Sequence, residues 1–168
     1  MPSRSYPSFA DEVIEAGGET LNLCYQCGTC TGTCPSGRLT AFRVRNIIKK
    51  AQFGFKDDIL PNDDLWMCVT CYMCYERCPR RVDIPGIILI LRNMSVSAGF
   101  MADNHKKAAE NLIKTGHSVL LTDKYKEMRK ALGLPEEPPT TLTDQEALKE
   151  IKVIVGRTGF ENLLRRKK

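Results

Sequence analysis

The sequence predicts an all-α fold, and three observations carry the prediction. Apolar residues recur at helical spacing, as in Phe42, Val44, Ile47, Ile48 and Ala51, while Arg43, Arg45, Lys49 and Lys50 take the opposite face. Capping residues, proline and glycine stand where such segments would begin and end. Alternation of apolar and polar residues, the mark of a half-buried strand, is scarce along the chain.

The eight cysteines set the plan of that fold. They form two runs, Cys24-Tyr-Gln-Cys27-Gly-Thr-Cys30-Thr-Gly-Thr-Cys34-Pro35 and Cys68-Val-Thr-Cys71-Tyr-Met-Cys74-Tyr-Glu-Arg-Cys78-Pro79, and none is left over. A four-iron cube needs four thiolates. Three cysteines at three-residue intervals wrap one face of a cube, with backbone N–H groups turned toward the sulfurs, and the fourth ligand crosses from the other run. The spacing assigns Cys24, Cys27, Cys30 and Cys78 to one [4Fe–4S] cluster, and Cys68, Cys71, Cys74 and Cys34 to a second. Proline after each fourth cysteine fixes φ and lacks a donor, so it ends the loop and can open a helix. Matching positions lie 44 residues apart, an internal pseudo-repeat in which each half lends a ligand to the other.

The fold expected is thus an α-helical ferredoxin-like domain with two [4Fe–4S] clusters and helical N- and C-terminal extensions. Residues 1–20 read as an arm and short helix, 21–100 as the cluster domain, and 101–168 as a helical extension for subunit docking. Structural zinc is the competing use of C-x2-C pairs, but it takes two pairs separated by a loop, whereas here a third cysteine and a Cys-Pro follow each pair. Disulfides would need an oxidising compartment, and no secretory leader argues for one.

Taken in order, residues 1–7 read as a loose arm. Ser8 can cap a helix over 9–16, with Asp11 and Glu12 favourable in its first turn and Gly17-Gly18 as its stop. One helical segment is expected over 38–53, ended by Gly54, and Asp63 or Asp64 then opens a helix entering Trp66-Met67-Cys68. Beyond Pro79, Asp83 caps and Pro85 begins a helix to about residue 98, apolar on most faces and so a buried core helix or half of an interface. Further helices are expected over 101–114 and 123–132, stopped by Gly116 and Gly133, with a stiff extended linker from Leu134 through Pro139. Thr143-Asp144-Gln145-Glu146 has the form of a capping box opening a helix over 145–155. Gly156 and Gly159 interrupt it, and 160–164 leads into the basic tail Arg165-Arg166-Lys167-Lys168, either solvated or docked on an acidic partner.

Composition narrows the function. At 168 residues, 42% hydrophobic and 27% charged, the chain has the balance of a soluble protein. The formal charge is +5, and an oxidised cube with its four thiolates carries about −2, so two cubes leave about +1 and remove most electrostatic support for nucleic-acid binding. The longest purely apolar run, 87–91, is far too short to span a bilayer, so a cytoplasmic protein without membrane insertion is expected. His105 and His117 lack a carboxylate or cysteine at ligand spacing and read as surface or capping residues. Trp66, Met67, Val69, Tyr72, Met73 and Tyr75 crowd the second run and are expected to form a hydrophobic shell that limits water access. Arg77, Arg80 and Arg81 either ease the charge of an anionic cluster, contact a partner or are solvated. With no phosphate loop, no G-x-S-x-G and no paired catalytic His and Asp, no catalytic residue is assigned.

The two cysteine runs, the helical insert between them and Asp83-Ile84-Pro85 resemble the iron–sulfur C subunit of heterodisulfide reductase from methanogenic archaea. Thr115-Gly116-His117-Ser118, Leu132-Gly133-Leu134-Pro135 and Pro138-Pro139-Thr140 extend the resemblance along most of the chain. It implies an electron relay inside a soluble complex. The flavin-containing, iron–sulfur A subunit passes electrons through such a chain to the B subunit, whose Cys-Cys-Gly motifs serve reduction of the coenzyme M–coenzyme B disulfide in methanogenesis; an associated hydrogenase is a candidate donor. This chain has no Cys-Cys-Gly, which fits substrate chemistry in another polypeptide. Two readings stay open beside it: a two-cluster subunit of another oxidoreductase, of fumarate or glycerol-3-phosphate dehydrogenase type, and a zinc-stabilised basic binding module.

Overall fold

A computed structural model describes residues 4–165; residues 1–3 of the expected arm and 166–168 of the basic tail lie outside the described residues. Every regular element among them is helical, and among the described residues no helix is long and apolar enough to cross a membrane. The chain divides into two compact units, one ending at Phe100 and the other beginning at Met101.

The first unit contains α1 (Ser8–Glu15), a 3-10 turn (Leu21–Leu23), α2 (Thr29–Thr33), α3 (Pro35–Leu39), α4 (Val44–Gln52), α5 (Lys56–Ile59), a second 3-10 turn (Asp63–Met67), α6 (Met73–Glu76) and α7 (Ile84–Ser97). Its core gathers round α7, whose Ile84, Ile87, Ile88 and Leu91 follow the i, i+3, i+4, i+7 pattern of one buried face. Phe9 and Val13 of α1, Ile47, Ile48 and Ala51 of α4, and Leu21 and Leu65 of the two 3-10 turns complete it. Burying each large side chain contributes about 1.5–3 kcal/mol. The start of α7 is as expected: Asp83 Oδ1 accepts the Gly86 N–H at 3.1 Å, and proline occupies the first turn, where its missing donor has no partner to lose.

Four expectations for this unit are corrected. The segment before α1 is fastened rather than loose: Ser5 Oγ donates to Phe53 O at 2.7 Å, Tyr6 N to Gly54 O at 2.8 Å, and Tyr6 Oη to Asp57 at 2.9 Å. Carbonyls just past the end of α4 accept the first two and the Asp57 carboxylate the third. Gly54 has φ 74°, and a Cβ there would collide with the Tyr6 carbonyl. Ser8 is the first helical residue, not the cap; Pro7 stands at the cap without a side-chain hydrogen bond. The helix expected over 38–53 is broken into α3 and α4 by extended backbone at Thr40 (φ −133°, ψ 176°) and Arg43 (φ −127°, ψ 91°). Arg43 Nη1 holds the break, donating to Gly37 O and Thr40 O at 2.8 Å and to Phe42 O at 2.9 Å. The turn it secures drives Phe42 into the core, leaving it 1% exposed. Asn62, rather than Asp63 or Asp64, opens the segment before Cys68, accepting the Asp64 N–H at 2.8 Å, and that segment is a 3-10 turn.

The second unit contains α8 (Asp103–Thr115), α9 (Asp123–Ala131), α10 (Gln145–Arg157) and α11 (Phe160–Arg165). Helices α10 and α11 pack on α8 and bury Leu148, Val155 and Leu164. The linker after α9 is pinned to it by Arg129 Nε on Pro135 O at 2.8 Å and by ion pairs Lys126–Glu137 and Lys130–Glu136. His117 closes the loop after α8: its ring bonds the Thr140 hydroxyl, and its carbonyl accepts from Asn111 Nδ2 at 2.6 Å. The cap of α10 is Asp144, whose Oδ1 accepts Glu146 N and Ala147 N at 3.0 and 3.1 Å; the Thr143 hydroxyl goes to Thr140 O instead. Gly156 does not interrupt α10. Packing of Val155 outweighs the roughly 1 kcal/mol propensity cost of glycine, and the break comes at Gly159, with φ 69°.

Candidate metal centre

Both cysteine runs are built on the same backbone. Each enters from a 3-10 turn into an extended first cysteine, Cys24 at φ −74°, ψ 116° and Cys68 at φ −70°, ψ 124°. Two residues on, Gln26 (φ 65°) and Thr70 (φ 48°) are left-handed; two further on, Gly28 (φ 88°) and Tyr72 (φ 60°) are left-handed again. A short helix follows in each half and carries the third cysteine, Cys30 in α2 and Cys74 in α6. The 44-residue repeat seen in the sequence is therefore also a repeat of conformation. Tyrosine at the position of Gly28 holds a conformation disfavoured for a bulky residue, a strain of order 1–3 kcal/mol.

The entry to each loop is clamped from a helix of the core. Gln52 Nε2, at the end of α4, donates to Leu21 O at 3.1 Å and Cys24 O at 2.9 Å. Arg92, on α7, donates from Nε to Leu65 O at 2.9 Å and from Nη2 to Cys68 O at 2.6 Å. The two pairs of carbonyls are equivalent in the repeat. Sequence reasoning missed both clamps, because their partners are main-chain carbonyls that no spacing rule marks; the one visible signal was a polar residue flanking an apolar stripe.

The halves face each other, with α2 packed on α6 and the Ser36 hydroxyl donating to Met67 O at 2.6 Å. Cys34, from the first run, lines one cavity with Cys68, Cys71 and Cys74, closed behind by Phe42 and Ile88. Of the remaining four, Cys24 and Cys27 lie in the electrostatic field of Cys30, and Tyr25 lies in that of both Cys27 and Cys78. Backbone donors reach the two fourth cysteines: Gly37 N to Cys34 Sγ and Val82 N to Cys78 Sγ, both at 3.3 Å. Gln26 Nε2 lies 3.5 Å from Cys24 Sγ and the Thr29 hydroxyl 3.4 Å from Cys27 Sγ.

Environment separates the thiols. Burial pushes Cys74 up to about 12, with the neighbouring Cys68 adding to it, and raises Cys30. Hydrogen bonding with Thr29, through its hydroxyl and its main chain, lowers the exposed Cys27. Burial lowers Arg92. A metal binding at the buried positions must displace a firmly held proton.

The expected hydrophobic shell is corrected. Met67, Val69, Tyr72, Met73 and Tyr75 are exposed, Val69 to 64%; Val69, Tyr72 and Met73 still line the cavity on its outer side, and Phe42, Val44 and Ile88 close it from behind. The run lies at the surface, so these apolar groups form a collar with one side in solvent.

The donor set fits two four-iron clusters. All eight thiols lie in the paired loops, four of them round one apolar-backed cavity, and main-chain N–H groups point at the sulfurs. Among the described residues no three Cys, His, Asp or Glu side chains close tightly round a single ion. A cube offers a separate iron to each thiolate and asks for a wider set.

Comparison with known proteins agrees. Residues 20–82 match the family of 4Fe-4S dicluster domains. The chain is 52% identical over 156 residues to the C subunit of the H(2):CoB-CoM heterodisulfide,ferredoxin reductase of Methanothermobacter marburgensis, covering 93% of this chain and 84% of that protein. It is 46% identical to the iron-sulfur C subunit of the CoB–CoM heterodisulfide reductase of Methanopyrus kandleri, over 94% of this chain and 80% of that one. It is 41% identical to the C subunit of the ferredoxin:CoB-CoM heterodisulfide reductase of Methanosarcina mazei, over 90% and 94%. The chain accordingly carries two [4Fe–4S] clusters. At these identities and this coverage, the chain belongs to the family of heterodisulfide reductase C subunits, the iron–sulfur electron-transfer subunits of an oxidoreductase complex.

Proposed function

We propose that this chain is the non-catalytic relay of its complex, taking electrons from the flavin-containing A subunit and delivering them to the Cys-Cys-Gly B subunit, which reduces the coenzyme M–coenzyme B disulfide. That reduction consumes two electrons and two protons and releases two thiols, and none of its bond changes is assigned to a residue of this chain. A hydrogenase upstream of the flavin-containing partner is the proposed source of electrons, and the cytoplasm, where thiols stay reduced, the proposed compartment.

When bound, the clusters supply one-electron carriers. Cys24, Cys27, Cys30 and Cys78 hold the first in this reading, and Cys68, Cys71, Cys74 and Cys34 the second. The observation that carries it is Cys34 in the same cavity as Cys68, Cys71 and Cys74, because an exchanged fourth ligand ties two carriers into one short path. The chain's own residues do the rest. Phe42 and Ile88 keep water from the back of the site, Gly37 N and Val82 N donate to sulfur, and Gln52 and Arg92 fix the loop entries.

Cys34→Ser tests the assignment. It should remove or alter the second cluster's EPR signal, leave that of the first, and stop electron flow from the flavin-containing partner to the Cys-Cys-Gly partner while both still bind. Loss of the signal that also responds to Cys24→Ser would refute it.

A further inference from the structure

The two halves of the cluster domain are clamped alike and charged differently. Gln52 holds Leu21 O and Cys24 O; Arg92 holds the equivalent Leu65 O and Cys68 O. Cysteine exposure matches at the first three positions, with Cys24 and Cys68 partly buried, Cys27 and Cys71 exposed, Cys30 and Cys74 buried, and departs at the fourth, where Cys34 is buried and Cys78 partly buried. The difference in charge is a full positive charge beside Cys68 where the other half has a neutral amide.

That charge is fixed and poorly screened. Arg92 is half-buried, lies over the Trp66 ring at 5.5 Å, and its donors are engaged by two carbonyls, so the guanidinium cannot swing into solvent. The first half has weaker compensation. The Thr29 hydroxyl serves an exposed sulfur, where water donates in its place when it is removed, Gln26 Nε2 is a neutral donor 3.5 Å from Cys24 Sγ and shared with Gln52 Oε1 at 3.0 Å, and Arg45 and Arg80 are exposed and screened. A fixed positive charge favours the more negative, reduced state of a nearby cluster and raises its potential.

We propose that Arg92 sets the order of the two potentials, holding the Cys68, Cys71, Cys74 and Cys34 cluster above the other. Electrons then enter this chain at the first cluster and leave it, toward the acceptor, from the second. The step is a single-electron transfer: what the first site loses the second gains, with no bond made or broken. The inference rests on the two-cluster relay proposed above.

The test is a redox titration, followed by EPR, of the full chain purified anaerobically with its clusters, with Cys71→Ser identifying the second cluster's signal. Arg92→Gln, the other half's own clamp, should lower the reduced-to-oxidised ratio of the second cluster roughly tenfold at fixed potential, which is 59 mV for a one-electron couple. The first cluster's midpoint should stay in place, and Arg92→Lys, which keeps the charge, should restore most of the shift. Both midpoints unmoved by Arg92→Gln, or both moved equally, overturns the proposal. Loss of the second cluster from both variants does so too, because the residue then acts as a clamp alone. If only Arg92→Gln loses it, the Lys variant decides: a retained high midpoint supports a role for charge, a lowered one rejects it. A wild-type chain with fewer than two clusters defeats the relay reading instead.

Discussion

Replacing Phe42 by alanine isolates what the break between α3 and α4 achieves. Phe42 is 1% exposed and forms the back wall of the cavity shared by Cys34, Cys68, Cys71 and Cys74. Truncating a phenylalanine so placed costs about 3–5 kcal/mol, the lost transfer energy plus the void left behind. A domain of this size has about 5–15 kcal/mol in total, and each kcal/mol moves its thermal midpoint by about 4–8 °C. Even the lower cost is therefore a fall of about 12 °C. Bound clusters stabilise only the folded state, so the holo-protein should still fold and the loss should show there as earlier melting and faster release of iron to a chelator. Phe53 is the matched control: the same residue type, 56% exposed, with an expected change within about 0.5 kcal/mol on truncation. Circular dichroism melts and iron release are the two assays. A Phe42→Ala protein that melts with Phe53→Ala and keeps its iron as long as the wild type would refute the packing account of the site.

Other outcomes follow from single residues. Tyr72→Gly should be nearly neutral in a thermal melt, since relief of about 1–2 kcal/mol of left-handed strain is offset by about 0.4–1 kcal/mol of added chain entropy and lost contacts, whereas Tyr72→Val should destabilise by 1 kcal/mol or more because a β-branched residue cannot settle at φ 60°. Ser95 is fully buried and its hydroxyl reaches Leu60 O at 2.5 Å and Phe100 O at 3.1 Å, so Ser95→Ala should cost about 1–3 kcal/mol in denaturant unfolding; a change under 0.5 kcal/mol would deny that bond any role. In the second unit, Asp144→Ala should cost about 1 kcal/mol and Thr143→Ala about half that or less, and the reverse order would return the cap to Thr143.

How much could be read from residues alone varied with the range of the interaction involved. Helices α7, α8, α9 and α10 were legible because apolar spacing and local caps or stops are encoded within a few residues of one another. The break at Thr40–Arg43 was not. Apolar spacing runs straight through it, and the competing force is Arg43 gathering three carbonyls into a turn. Asn62 was passed over for Asp63 because any of the polar residues there can cap, and which one does depends on where Leu65 must be buried. The cysteine pairing needed no coordinates to be expected, since ligand number and loop length restrict it. The exposed collar was misjudged because hydrophobicity says that a side chain can be buried, not that the backbone points it inward.

By itself, the sequence determined the chemistry: eight thiols in two matching runs, a Cys-Pro at the end of each, and an all-helical frame. These follow from ligand number and short-range periodicity, which survive without knowledge of the fold. Tertiary structure alone decided that the repeat is also one of backbone, with Tyr72 strained where Gly28 is free, and that Gln52 and Arg92 hold equivalent carbonyls with unequal charge. Those features arise between groups distant in sequence. A main-chain carbonyl carries no mark of the side chain that will reach it, and a guanidinium becomes a fixed charge beside Cys68 only once α7 is packed in the core.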